Sequence, residues 1–515
     1  MANSTDTPYG ATMPPSTNTS VHRWWILVAL CLIIFILALD NTILNVSLPT
    51  LASVFNTSAS ELQWIAKAYI LVYSGLLLTG GTLSDRFGVR RILLIGLVIY
   101  GVTRVFTAFA GSTHELILGR AAMGIGSALL MPATLALIKH IFADAERALA
   151  IAIWTATFGL GVAVGPVIGG WVVENMWWGA AFLLHIPIIV ITLVAIAWLV
   201  SAHLPTRKVP LDMLGAALSM AGVSILLYAI TAMPTWGVLN APFILTSGSA
   251  LVLLGLFIWR ELRVAHPMVD IHLFCNPHFS AALQAIVLIY FVYVGLSFVL
   301  AQYLQYVSGY GPFEAGLRTV PLAASLLIFT LLAPTVVAHW GIRVVIVDGL
   351  LLAFAGSLIL TMIGSDRTYT PILIALLLLG SGAGLTFTAG TVAVINAVPE
   401  DKAGQAAAIN ETGFNLGSVL GIGILGATLT GAYTQGWADV TVLPDTLKHS
   451  AMESISAAFR AAEGIGNPTR DMVLTQACQA FADAMDFTAL ISAGVLLLSA
   501  LLALWFLPNC ATSAQ

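Results

Sequence analysis

Gly81-Thr-Leu-Ser-Asp-Arg-Phe-Gly-Val-Arg-Arg91 is a short charged stretch between two apolar runs, 62–82 and 91–110. Its two glycines allow a tight turn with close helix approach, and Asp85 with Arg86 and Arg90 can cluster against neighbouring helix ends. A plain basic anchor would need neither the acid nor the fixed spacing of Gly81 and Gly88. A weaker echo, Trp340-Gly-Ile-Arg343, stands between two later apolar runs. The echo suggests that one multi-helix unit occurs twice.

Working outward, the whole chain reads as membrane protein. Its 515 residues are 59% hydrophobic and only 9% charged, more apolar surface than a water-soluble globule can cover. Runs of about 20 apolar residues give fourteen spans: 24–46, 62–82, 91–110, 115–137, 148–173, 180–201, 212–232, 241–260, 279–303, 315–338, 343–363, 371–393, 405–432 and 486–507. No alternating pattern of about ten residues marks a barrel, so the spans are helices and the fold class is all-α. A second echo is stronger in layout. Arg147-Ala-Leu-Ala-Ile-Ala before a glycine-studded span matches Lys402-Ala-Gly-Gln-Ala-Ala-Ala before another. Spans 1–6 and 9–14 therefore read as two copies of a six-helix unit, with spans 7 and 8 inserted. The expected divisions are a disordered cytoplasmic tail 1–22, a first half 23–203, the insert 204–270, and a second half 271–515 containing an outer segment 435–484. Within that segment 451–462 and 472–481 carry apolar residues at helical spacing, so one or two short amphipathic helices are expected, either capping an outer vestibule or forming a plain surface loop. Parallel halves of this kind place a substrate site at their interface.

Orientation follows from the basic residues. With the N-terminus inside, the loops after even-numbered spans hold Arg86, Arg90, Arg91, Lys139, Arg147, Arg207, Lys208, Arg260, Arg263, Arg343 and Lys402, so both termini are expected in the cytoplasm. A net charge of −4 without a basic cluster excludes nucleic acid as a partner. Cys31, Cys275, Cys478 and Cys510 fall in different compartments or in lipid, which argues against a disulfide or a metal site. There is no phosphate-binding Gly-x-x-x-x-Gly-Lys-Ser/Thr loop, so ATP is not the energy source. No nucleophile or pair of catalytic acids points to an enzyme, and no cofactor is called for.

Taken in order, the motifs resemble the major facilitator superfamily, in its fourteen-helix drug:proton antiporter branch. The opening stretch is similar to that superfamily's signature between helices 2 and 3. Leu39-Asp40-Asn-Thr-Ile-Leu-Asn-Val-Ser-Leu-Pro49 resembles the branch's helix 1 signature, and Leu62-Gln-Trp-Ile-x-x-x-Tyr69 the start of its helix 2. Leu116-x-x-x-Arg120-x-x-x-Gly124-x-Gly126 resembles the helix 4 motif whose arginine is linked to proton coupling. Gly161-x-x-x-Gly165-Pro166-x-x-Gly169-Gly170 resembles the helix 5 antiporter motif, and Gln302-Tyr-Leu-Gln305 and Ala315-Gly316 extend the likeness into the second half. The resemblance implies a major facilitator fold in a bacterial inner membrane, a monomer, and export of lipophilic, cationic drugs such as quaternary ammonium compounds and dyes in exchange for protons. Export of an endogenous metabolite or antibiotic is the alternative in the same fold. A channel or receptor with no proton counterflow is the alternative from another class.

Individual residues sharpen the expectation. Asp40 follows a charge-free run from Trp24 to Leu39, and Glu411 lies within span 13; carboxylates at such depth are costly unless they have a function. Both are expected to exchange protons, with Arg120 as a partner for Asp40 or Asn41. Tyr69, Trp154, Phe414 and Asn410 are expected to line the pocket. Lys67 departs from the branch, where several exporters carry an acid, and it can pair with Asp40 or Glu411, meet substrate, or snorkel outward. Leu326, an apolar residue at the corresponding pocket position of span 10, is a second departure. Gly161, Gly165 and Gly169 share one helix face suited to close packing, with a kink at Pro166. Asp348 is expected to join Arg343 in a second-half latch, and Arg104 to reach the outer interface.

Overall fold

The computed structural model describes residues 17–55, 57, 59–201, 212–236, 240–264, 267–364, 368–438, 445–463 and 466–507. Arg207, Lys208 and Cys510 lie outside them, as do the side chains of Asn41 and Pro166. Fourteen helices among the described residues are long and apolar enough to cross a membrane. The first half comprises α1 (Thr17–Phe55), α2 (Ala59–Phe87), α3 (Val89–Ala108), α4 (Thr113–Ile141), α5 (Asp144–Asn175) and α6 (Ile186–Leu199), the last preceded by the single turn Ala180–Leu183. The insert is α7 (Met213–Trp236) and α8 (Ala241–Glu261). The second half comprises α9 (Pro277–Gln302), α10 (Pro312–Trp340), α11 (Ile342–Leu360), α12 (Tyr369–Asn396), α13 (Ala403–Leu420) and α14 (Thr469–Phe506). Helix α13 runs on through a wide turn, Gly421–Leu425, into Gly426–Gln435.

The same pairings occur in each half. Helix α2 packs on α4, α3 on α4 and α1 on α5; α10 packs on α12, α11 on α12 and α9 on α13. The turns that first suggested a repeat also match in backbone. Gly88 (φ 92°) links α2 to α3 and Gly341 (φ 82°) links α10 to α11, a conformation that costs an L side chain strain but not glycine. The halves meet through α13 against α2 and α4, and through α5 against α10 and α12. Inserted helix α7 lies along α2: Ser224 donates to the Leu71 carbonyl at 3.0 Å and Tyr228 stacks on Trp64 at 5.7 Å. At its other edge Ile230 meets Gly423 of the α13 wide turn.

Local signals place the ends. Helix α4 starts at an N-cap, with Ser112 accepting from the Glu115 amide, and the Glu115 carboxylate accepts from the Gly111 amide just before it. Asn276, ahead of Pro277, caps α9 through the His278 amide.

Two expected boundaries move. Helix α1 begins at Thr17, inside the segment read as a disordered tail, because a helix nucleated by an apolar span extends cheaply into adjacent polar residues. Residues 472–481 are not a separate outer helix; they belong to α14, whose 38 residues project beyond the apolar span. The outer segment's own helices are Asp445–Glu453 and Ile455–Glu463. They pack on the second half, where the Tyr433 hydroxyl donates to the Ala451 carbonyl at 3.0 Å and Phe459 meets Tyr306 edge-on at 5.2 Å.

Candidate functional site

Two buried polar centres and one closed seam stand out. The first centre lies in the first half. Asp40 on α1 is 3% exposed, and each of its oxygens meets a guanidinium: Oδ1 is 2.6 Å from Arg104 on α3, and Oδ2 is 2.7 Å from Arg120 on α4. Arg104 is fully buried, which corrects the expectation that it reaches the outer interface. It also donates to the Tyr100 hydroxyl at 2.6 Å, meets His185 Nδ1 at 2.8 Å, and reaches the Phe182 carbonyl. A lone arginine cannot stay unpaired at that depth, so it turns inward to the nearest acid. Arg120 donates further to the Ile65 carbonyl and lies over the Tyr69 ring, 4.5 Å from its centroid. Tyr69 in turn donates to Ser127.

Glycines bring this centre together. A side chain on Gly161 would sit 2.7 Å from the Ala38 Cβ, one on Gly165 would strike Thr42, and one on Gly169 would crowd Ile43. Three of the motif glycines thus press α5 onto α1 beside Asp40, while a side chain on Gly170 would meet open space. Helix α5 runs unbroken through Pro166. Trp154 is buried and donates to Thr134, so it braces α5 on α4. Lys67 is half-buried on α2, two residues before Tyr69.

The second centre lies on α13. Glu411 is 2% exposed, and no cation among the described residues lies within ion-pair distance of it. Its carboxylate accepts from the side-chain amide of Asn410 at 3.3 Å, and Asn410 itself accepts from Thr391 at 3.2 Å. One turn along, Phe414 meets Tyr290 edge-on at 5.1 Å and Phe387 at 5.3 Å, and Tyr290 stacks near Tyr293. On the facing half, Ser74 donates to Asn415 at 3.3 Å, one turn from Glu411. A buried carboxylate without a counter-cation, beside a cluster of aromatic faces, can hold a proton or a lipophilic cation.

The seam closes at the end of the bundle that carries Arg86, Arg147 and Lys402, here called the basic end. Asp85 accepts from the backbone amides of Gly404 at 2.7 Å and Gln405 at 3.0 Å, so an acid of α2 caps the N-terminus of α13. Gly81 and Gly404 allow this approach: a side chain on Gly81 would strike the Gly404 carbonyl and the Ala408 Cβ. Lys139, at the end of α4, supplies the mirror image. It is 3% exposed and its ammonium donates to the carbonyls of Ile395 at 2.6 Å, Val398 and Pro399 at the C-terminus of α12. Arg147 adds a 2.7 Å bond to Asn396. An acid at a helix N-terminus and a cation at a helix C-terminus both gain from the helix dipole, so the halves are held by two complementary charge contacts. Arg90 stays within its half, donating to the Ala197 carbonyl on α6 at 2.6 Å, and Arg86 lies over Phe87.

One expected latch does not form. No ion pair joins Arg343 to Asp348 among the described residues; five positions apart on a helix, the two point to different faces, and Asp348 opens into a groove beside α12. Sequence reasoning missed Arg104 as a partner of Asp40 and His185 as a partner of Arg104, and it counted Lys139 only as a basic anchor. The available signal for Arg104 was Tyr100, one helical turn earlier on the same face.

A bundle of fourteen membrane-length helices, in two six-helix halves with a two-helix insert, has the build of a membrane transporter. The chain belongs to the Major Facilitator Superfamily, whose profile matches residues 30–422. It is 34% identical over 488 residues to the multidrug efflux pump LfrA of Mycolicibacterium smegmatis, covering 95% of this chain and 97% of that one. It is 31% identical over 494 residues to the methyl viologen resistance protein SmvA of Salmonella typhimurium, covering 94% and 98%. The tetracenomycin C resistance and export protein of Streptomyces glaucescens is 27% identical, covering 85% and 82%. These relatives place the chain in the superfamily's drug-exporter branch. Among solved structures, the human organic anion transporter MFSD10 shares the fold at a TM-score of 0.59 and 14% identity, covering 94% of this chain and 100% of that one. The proton:xylose symporter XylE does so at 0.58 and 15%, covering 95% and 97%.

Proposed function

We propose that the protein is a proton-coupled antiporter that exports lipophilic cationic drugs, such as quaternary ammonium compounds and dyes, across a bacterial plasma membrane by alternating access. The observation that carries this reading is Glu411: buried, without a cation, and next to the aromatic cluster of Tyr290, Phe387 and Phe414. Burial disfavours a bare carboxylate, so the site is stable either with a proton or with a cationic substrate and less so with neither. That exclusivity is what an antiporter needs. The proton is assigned to Glu411 and not to Asp40, because both oxygens of Asp40 already meet guanidiniums; the Asp40–Arg104–Arg120 triad serves as a fixed joint between α1, α3 and α4.

The basic loops support a cytoplasmic position for the latched end and for both termini. The cycle then starts from a state closed on the cytoplasmic side. Outside protons displace the cation from Glu411, the neutral acid lets the halves rock, and the Asp85 and Lys139 contacts release on the cytoplasmic side. Substrate binding and proton loss return the halves. The protein acts as a monomer in this scheme, with membrane lipid around it. A second reading, export of an antibiotic, is favoured by the tetracenomycin relative, which is named for resistance and export.

The test is efflux of ethidium from proteoliposomes under an imposed pH gradient. Wild type should follow the gradient, Glu411→Gln should not, and Asp40→Asn should fail chiefly through low yield of folded protein. Gradient-driven efflux by Glu411→Gln at the wild-type rate would defeat the assignment.

A further inference from the structure

Asp348 is an acid within an apolar span that neither centre nor the latch uses. It lies in α11, six residues past its start at Ile342, hence about 9 Å along the helix axis from the basic end. Among the described residues it makes no hydrogen bond or ion pair. It opens into a groove of about 750 Å³ between α10 and α11, floored by Leu385 of α12. The groove is walled by Phe329, Trp340, Leu351 and other apolar side chains, and Asp348 is the only acid or formally basic side chain other than His339 on its lining. His339 Nδ1 lies 2.8 Å from the Thr335 carbonyl. Trp340, the last residue of α10, is 62% exposed and Leu351 40%, so the groove is open to the outside of the bundle.

A carboxylate at membrane depth with no protein partner needs a counter-charge from elsewhere. The volume and mostly apolar lining suit a drug-sized molecule, and the aromatic faces of Phe329 and Trp340 suit a cation. With one acid and no Lys or Arg on the lining, the groove matches a net cation better than a zwitterion. We propose that this groove is a peripheral binding site for a lipophilic organic monocation, held by Asp348, where the compound partitions from the adjacent leaflet before reaching Glu411. The proposal rests on the exporter reading for its role and on Asp348 alone for its binding.

The test is equilibrium binding of tetraphenylphosphonium to the full-length protein in phosphatidylcholine nanodiscs. Wild type should show two classes of site. Asp348→Asn should weaken one class about tenfold or more, the loss of a charge-assisted contact, while Asp348→Glu retains it and Glu411→Gln leaves it intact. Leu351→Trp, which fills the groove while keeping the acid, should also remove that class. Identical binding in wild type, Asp348→Asn and Leu351→Trp overturns the proposal. So does stoichiometric displacement of the probe by phosphatidylethanolamine, which would make the occupant a lipid. If Asp348-dependent binding holds but wild type transports no tetraphenylphosphonium, the groove stands and the exporter reading falls.

Discussion

Replacing Asp85 by alanine removes the acceptor for two backbone amides at the start of α13, those of Gly404 and Gln405. The residue is 6% exposed, so water does not readily take over its role. A hydrogen bond to a charged group contributes about 1.5–3 kcal/mol, and the helix N-terminus adds a few tenths to about 1 kcal/mol. Allowing for partial rehydration once the seam parts, the closed state should lose about 3 kcal/mol, which shifts the closed-to-open ratio by about two orders of magnitude. Asp85→Asn keeps one acceptor without the charge and should shift it by about tenfold. Spin labels on the α2–α3 turn and on the α12–α13 turn report this directly by double electron–electron resonance. Wild type should give one short distance, Asp85→Ala a dominant long one, and Asp85→Asn a mixture. An unchanged short distance in Asp85→Ala would refute the view that this cap holds the halves together.

Further predictions concern the first centre and the base of the insert. Arg104→Leu breaks a buried ion triad and should cost about 3–5 kcal/mol, seen as a large fall in apparent melting temperature; a fall no greater than that of an exposed-site control would show that Arg120 alone suffices for Asp40. Gly161→Val places a side chain against Ala38 and should cost about 1–3 kcal/mol through overpacking, whereas Gly170→Ala, facing open space, should melt like wild type. Asp270 pairs with Lys402 at 2.8 Å, and that bond holds its carboxyl below the ordinary value of 3.8. A lowered folded-state value means the pair stabilises the protein above pH 3.8 and loses its effect only as pH falls further. Melting temperature should therefore differ between wild type and Asp270→Asn by a constant, small amount from pH 5 to 8, on the order of 0.5 kcal/mol for a partly exposed pair. A difference that grows or vanishes within that window would contradict the assignment.

The membrane-spanning helices were legible because lipid imposes length and apolarity on every crossing segment, and the repeat was legible because Gly88 and Gly341 must both adopt positive φ. Asp40, Glu411 and Asp85 stood out in the sequence because a charge in an apolar setting is rare. Their partners did not. Arg104 meets an acid 64 positions away and Lys139 meets carbonyls more than 250 positions away, contacts set by helix packing and not by local pattern. Asp348 and Arg343 looked paired because they are near in sequence, but their separation puts them on different faces of α11. The 38-residue α14 was read short because its outer turns are polar on one side and carry no membrane signal.

In the proposed cycle Glu411 holds a proton that a cationic substrate displaces. The most direct measurement is proton release on adding tetraphenylphosphonium to purified protein in weakly buffered solution, read with a pH indicator. Wild type should release protons in proportion to cation bound and Asp40→Asn, where it folds, should do the same, while Glu411→Gln should bind without release. Proton release that survives in Glu411→Gln and vanishes in Asp40→Asn would rule out Glu411 and move the coupling site to the triad.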